Sequence, residues 1–139
     1  MKTLTDTPKL IKELKVNHSF TVFPDGLNYF GTLFGGKILA EMDIAAGKAV
    51  RKLLYNTGCD GAATVSVDKV DFKKPAVLGD IIEMEAAITG LGTTSIRVYI
   101  KVSKEDAYGS VESICEATFT FVALKDRKPY PHSCAFTGN

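Results

Sequence analysis

The stretch Pro24–Asp43, PDGLNYFGTLFGGKILAEMD, decides how the rest of the chain is read. It opens as a turn at Pro24-Asp25-Gly26, passes through the glycine pair Gly35-Gly36, and becomes a helix with an apolar face. Ile38, Leu39, Met42, Ala45, Ala46, Ala49, Val50, Leu53 and Leu54 recur at three- and four-residue spacing, which predicts a helix over 36–55. Lys48, Arg51 and Lys52 fall on the other side, the last two near the end where a cation suits the helix dipole. Asn56-Thr57-Gly58 supplies a C-cap. Two features of this helix call for chemistry. A glycine-opened start exposes unpaired N–H groups that attract negative charge, and a single carboxylate, Asp43, stands in a run of small apolar residues.

Everything after that helix reads as strand. Residues 62–72 alternate, with Val65, Val67 and Lys69 on one side and Ser66, Asp68, Val70 and Phe72 on the other. Further strands are expected over 81–91, 93–103 and 111–124; Ile96, Val98, Ile100 and Val102 share one face of the second. A strand over 18–23 precedes the helix. Residues 1–17 are expected as a short helix or loose arm, and 126–139 as a polar surface tail. The whole is one α+β domain, an antiparallel sheet of about five strands wrapped around one long central helix.

Composition excludes several classes. The 139 residues carry 17 Lys and Arg against 16 Asp and Glu, a net charge of +1 that gives no electrostatic footprint for nucleic acid or an anionic membrane. Three scattered cysteines form neither a disulfide framework nor a zinc motif, and His18 and His132 lie at opposite ends of the chain, so no metal site is expected. The N-terminus lacks the apolar core of a signal peptide and no run is long enough to span a bilayer, which points to a cytoplasmic protein.

The pattern resembles the hot-dog fold, and in detail the acyl-CoA thioesterases of the acyl-CoA hydrolase branch. The residues that carry the resemblance are Pro24, Asn28, Gly31, Phe34, Gly35, Gly36, Met42 and Asp43, followed by Thr64-Val65, 70–75, Gly79-Asp80, 92–95 and 119–124. It implies hydrolysis of an acyl-CoA to free acid and CoA, with Asp43 and Asn28 as the catalytic pair and no cofactor beyond the CoA of the substrate. It also implies that the turn holding Gly92, Thr94 and Ser95 contacts CoA. Lys73, Lys74 and Arg97 are candidates for a positive rim facing the CoA phosphates.

The chemistry fits those roles. Backbone N–H groups at Gly35, Gly36 and Lys37 can form an oxyanion hole, and glycine there admits close approach. Asp43 can deprotonate water or attack directly through an anhydride. Asn28 offers an uncharged donor and acceptor for the water or the carbonyl oxygen. Gly36 and Asp43 are separated by roughly 10 Å along a helix axis, whereas a reacting carbonyl needs its donors at about 3 Å and its base nearly as close. One subunit fits poorly. A dimer, or an assembly of dimers, in which Asn28 and the helix start of one chain meet Asp43 of its partner fits better. Tyr29, Phe30 and Phe34 are candidates to shape the acyl tunnel.

Two other readings fit the residues less well. An enoyl-thioester hydratase needs a histidine near an acid, and no D-x-x-x-x-H arrangement occurs. A non-catalytic acyl-CoA-binding module would have no use for Asp43 and Asn28.

Overall fold

The computed structural model describes residues 8–137. Its elements in chain order are β1 (Lys9–Ile11), β2 (Lys15–Thr21), a 3-10 turn (Pro24–Gly26), α1 (Gly35–Leu53), β3 (Gly61–Phe72), β4 (Ile81–Leu91), β5 (Ser95–Glu105), β6 (Val111–Lys125), β7 (Lys128–Pro129) and β8 (Cys134–Phe136). Five long strands form one antiparallel sheet in the order β2-β4-β5-β6-β3, with β7 paired to the end of β6. The sheet curls around α1, which touches all five. The helix and the expected strand pattern are therefore present, with ends displaced by at most three residues.

The core is what period-two and period-3.6 patterning dictates. From the helix come Ile38, Met42, Ala45, Ala46, Ala49, Val50 and Leu53, all buried. Facing them are Ile82, Met84, Ala86 and Ile88 of β4, then Ile96, Val98, Ile100 and Val102 of β5, and Ala117, Phe119 and Phe121 of β6. The alanines let the helix lie close to the sheet.

Two regions depart from the sequence reading. The alternation of β3 does not bury a face: Val65, Val67, Val70 and Phe72 are 57%, 40%, 37% and 49% exposed. The cause is position and geometry. β3 is an edge strand paired only to β6, its register shifts at Thr64/Ser66 and Asp68/Asp71, and Lys69 takes a left-handed conformation at φ 56°.

The chain ends are also more ordered than a loose arm and a surface tail. Residues 1–7 lie outside the described region, but β1 pairs in parallel with β8. His132 is 1% exposed and Cys134 8%, so the tail enters the core instead of lying on it. A polar composition hid this, because among the described residues every buried side-chain nitrogen and oxygen has a partner. His132 donates from Nε2 to the Ser95 carbonyl (3.0 Å) and accepts the Cys134 N–H at Nδ1 (3.0 Å).

Candidate active site

The start of α1 leaves its donors open. Phe34 is the N-cap residue, with no side-chain capping bond and no acidic residue in the first turn. Gly35 and Gly36 are the first helical residues, whose N–H groups have no intrahelical partner, and among the described residues neither meets another backbone acceptor. Lys37 differs from expectation. Its N–H is taken by the Phe34 carbonyl at 3.0 Å, so the available donors are the two glycines. Beside Gly35 lies a recess of about 290 Å³ whose other walls include Phe72, Lys73 and Lys74.

Asp43 lies two turns further on, exposed, and accepts a hydrogen bond from Thr64 Oγ1 at 2.6 Å. Its geometry follows from two elements: the helix face that leaves the core between Met42 and Ala45, and the β3 bulge that starts at Thr64. Thr64 was part of the family pattern without an assigned role. Its hydroxyl bonds one carboxylate oxygen, and no group among the described residues bonds the other.

Asn28 is bound into its own loop. Its Oδ1 accepts the N–H groups of Phe30 (3.0 Å) and Thr32 (3.1 Å), and its Nδ2 donates to Thr32 Oγ1 (2.9 Å). Gly31, at φ 83°, makes the tight reversal possible. The asparagine thus builds the loop, and one of its two amide hydrogens has no partner among the described residues. Tyr29 and Phe30 project from this loop at 91% and 76% exposure, and Phe34 is exposed as well.

The sheet register sorts the remaining candidates into two groups. Thr64 is opposite Phe121, and Phe121 is opposite Ile96, which places Gly92, Thr94, Ser95 and Arg97 at the Asp43 end of the sheet. Phe72 is opposite Cys115, and Cys115 opposite Val102, which places Lys73 and Lys74 at the Gly35 end. Seven residues of β5 separate Ser95 from Val102, roughly 23 Å. Within one protomer, the two groups of CoA candidates do not converge. Lys73 and Lys74 are also paired, with Glu116 (3.3 Å) and Glu112 (2.9 Å). Tyr99 and Lys73 hold the Glu116 carboxyl below its ordinary range, and Lys74 does the same to Glu112. Arg97 is exposed and meets no carboxylate among the described residues. The 92–95 turn is pinned from below, its Thr93 and Ser95 carbonyls accepting from His132 and its Thr94 carbonyl from Ala123.

The structure also reveals a pair that sequence spacing missed. His18 on β2 reaches Glu41 on α1, Nε2 to Oε2, at 2.6 Å, while Lys37 takes the other Glu41 oxygen at 3.0 Å. Lys48 donates to His18 Nδ1 at 2.8 Å, which puts the ring proton on Nε2. Burial works to raise the Glu41 pKa, but the bonds from His18 and Lys37 outweigh it and hold the carboxyl below its ordinary value. Both ring nitrogens are committed, so this histidine–acid pair has no free base for hydration chemistry. Among the described residues no three His, Cys, Asp or Glu side chains gather as a metal site, and no helix is long and apolar enough to cross a membrane.

A single helix clasped by a curled five-stranded antiparallel sheet, with an open helix start and a lone exposed carboxylate on the same helix, defines the hot-dog class. The chain belongs to the thioesterase superfamily, whose family model matches residues 30–110. It is 38% identical over 130 residues to YkhA, an uncharacterized acyl-CoA thioester hydrolase of Bacillus subtilis, covering 91% of this chain and 73% of that one. A solved hexameric acyl-CoA thioesterase superposes with a TM-score of 0.79 at 32% identity, covering 90% and 78% of the two chains. An acyl-CoA hydrolase from Staphylococcus aureus, solved with butyryl-CoA and CoA, superposes with a TM-score of 0.77 at 30% identity, covering 90% and 76%. That enzyme has also been solved as aspartate-to-alanine, asparagine-to-alanine and threonine-to-alanine variants.

Proposed function

We propose that this protein hydrolyses acyl-CoA thioesters to a free carboxylic acid and CoA, in an assembly where each active site is shared between two subunits. The observation that carries the reading is Asp43: exposed, bonded through one oxygen by Thr64, and with no described group on its second oxygen. Similarity to proteins named as acyl-CoA thioesterases, and to a hexameric one, supports the substrate class and the assembly. The variants made in the Staphylococcus aureus enzyme are of the same three residue types as Asp43, Asn28 and Thr64.

In the proposed reaction the thioester carbonyl oxygen lies against the Gly35 and Gly36 N–H groups at the positive end of the helix dipole. Asp43 takes a proton from water as the water oxygen attacks the carbonyl carbon. The tetrahedral oxyanion then collapses, the C–S bond breaks, and the CoA thiolate leaves and is protonated. Attack by Asp43 itself, giving an anhydride that water opens, uses the same groups. The remaining amide hydrogen of Asn28 positions the water or the carbonyl. Every step uses side chains, backbone N–H groups and water.

The shared site is supported by separation and by the edge strand. The open glycine donors and the Asp43–Thr64 pair fall in the two different groups that the sheet register separates. β3 presents unpaired backbone along an edge lined by exposed Val65, Val67, Val70 and Phe72, a surface suited to pairing with a second copy. A twofold axis at an antiparallel edge would bring the Gly35 end of one protomer toward the Asp43 end of the other. The same operation would bring Lys73 and Lys74 toward the 92–97 segment, closing a positive rim for CoA. Their ion pairs with Glu116 and Glu112 are surface pairs worth about 0–1 kcal/mol, which a phosphate can displace. Three unpaired cysteines are in keeping with a cytoplasmic location.

Thiol release from an acyl-CoA panel tests the reading. Binding of acyl-CoA without thiol release would instead favour a non-catalytic acyl-CoA-binding module.

A further inference from the structure

The core-facing row of β5 ends on a charge. Ile96, Val98, Ile100 and Val102 are buried, and Lys104 takes the next position of that row, opposite the buried Ile82 of β4. Its side chain is only 14% exposed, and that of Asp80, whose Oδ2 stands 3.9 Å from Lys104 Nζ, is 4% exposed. Asp80 is the one buried carboxylate among the described residues. Removing both charges from water is costly, and an apolar pair of similar volume often stabilises a fold as well or better. Stability alone does not account for this pair.

What the pair holds is a three-residue strut. Lys104 Nζ donates to the Pro75 carbonyl at 2.6 Å, and Asp80 Oδ2 accepts the Val77 N–H at 2.9 Å. Between them lies Ala76, fully buried, whose carbonyl accepts the Leu33 N–H at 2.8 Å. Thr32 forms a β-bridge with Val77 beside that bond. Leu33 is two residues from Gly35, and both line the recess of about 290 Å³ together with Pro75. The bond from Phe34 N–H to the Gly26 carbonyl (2.8 Å) is internal to the same loop, so it does not place the loop against the sheet. The bare glycine donors therefore hang on Ala76, and each flank of Ala76 is fixed by one member of the ion pair.

We infer that Lys104 and Asp80 are positioning residues for the proposed hydrolysis: through the 75–77 strut they set where the Gly35 and Gly36 N–H groups stand. The inference rests on the acyl-CoA hydrolase reading, in which those donors stabilise the oxyanion. Donors of that kind act because they are already in place, and a displacement of about 1 Å costs roughly a hundredfold in rate. A pair that only ties the fold together would leave kcat alone.

Lys104→Met alone would strand a buried carboxylate, so the test is the double variant Lys104→Met/Asp80→Asn. It removes both charges together, and the amide introduced at position 80 still accepts the Val77 N–H. Two readouts are taken on the full chain: steady-state thiol release from acyl-CoA, and amide hydrogen exchange at Leu33, with Ile100 of β5 as the control. The expected kcat is roughly ten- to hundredfold lower. KM should change by less than about threefold, because Lys73 and Lys74 are held separately through their N–H bonds to the Ile114 carbonyl (2.8 and 3.4 Å). Exchange at Leu33 should quicken by about tenfold or more while Ile100 keeps its wild-type rate. An unchanged kcat would overturn the inference and reduce the pair to a fold tie, whatever the exchange shows. A lowered kcat with unchanged exchange at Leu33 would overturn it too, since the effect would not pass through the strut. So would equal quickening at Ile100, the mark of a fold loosened throughout. No thiol release from any acyl-CoA in wild type would instead overturn the hydrolase reading, and this inference with it.

Discussion

The two ends of α1 are built in opposite ways. At its C-terminal end, Lys9 Nζ donates to the carbonyls of Lys52 (3.4 Å), Leu53 (2.8 Å) and Tyr55 (2.7 Å), and Thr57 Oγ1 donates to Leu54 (2.7 Å). Arg51 and Lys52 add positive charge in the last turn. At its N-terminal end there is no side-chain cap, no acidic residue in the first turn, and a glycine pair that leaves its N–H groups bare. Unsatisfied groups at a helix end are normally covered by caps or water. One end is sealed, and the other leaves its donors open, as the proposed oxyanion hole requires.

The same division separates two carboxylates on the helix. Glu41 is 13% exposed and held by His18 and Lys37. Asp43, two residues on, is exposed and held only by Thr64 among the described residues. The first ties β2 to α1; the second has an oxygen that no described group holds, as the proposed chemistry requires.

Substitutions can break this contrast. The largest effect belongs to Asp43→Asn, which should lower kcat by roughly 10²- to 10⁴-fold, the range of general-base catalysis, with an unchanged melting temperature because the residue is exposed. Glu41→Gln should leave kcat near wild type, and an equal loss in both variants would erase the distinction. Thr64→Val comes next. Removing a hydrogen bond to a charged group is worth about 1.5–3 kcal/mol, so kcat/KM should fall by roughly ten- to hundredfold. Rates unaffected by that change would mean that Thr64 does not orient the carboxylate.

Lys9→Met tests the sealed end. It should destabilise the fold by about 1–3 kcal/mol in denaturant unfolding, with kcat unchanged; a stability equal to wild type would assign the cap elsewhere. The smallest effect is pH-dependent. The Glu41 pKa is depressed in the folded state, so its contribution is present above the unfolded value of about 4.5 and is lost as pH falls through the lower folded value. The stability difference between wild type and Glu41→Gln should therefore shrink on acidification below pH 4.5. A difference constant down to pH 3 would contradict the pairing.

Local patterning made the interior legible. Ile96, Val98, Ile100 and Val102 alternate into the core, and the apolar spacing of 38–54 yields α1. Gly35-Gly36 and Asp43 were also visible, because a glycine pair opening a helix and a carboxylate among alanines both contradict the simplest packing logic. What stayed hidden depends on contacts between distant segments. Lys9 caps a helix more than 40 residues away, His18 meets Glu41 across two elements, and His132 supports a turn from a tail that reads as polar surface. β3 misled for a different reason. Its apolar residues alternate as if buried, yet they line an edge strand that nothing else among the described residues covers.

That uncovered edge makes subunit sharing the central claim. Asn28→Ala and Asp43→Ala proteins, each inactive alone, are mixed under conditions that exchange subunits, and thiol release is followed. With a site shared across a twofold, half the dimers are mixed and each carries one intact site, so roughly a quarter of wild-type activity should return. No recovery, with subunit exchange verified, would place Asn28 and Asp43 in the same protomer's site and contradict the account.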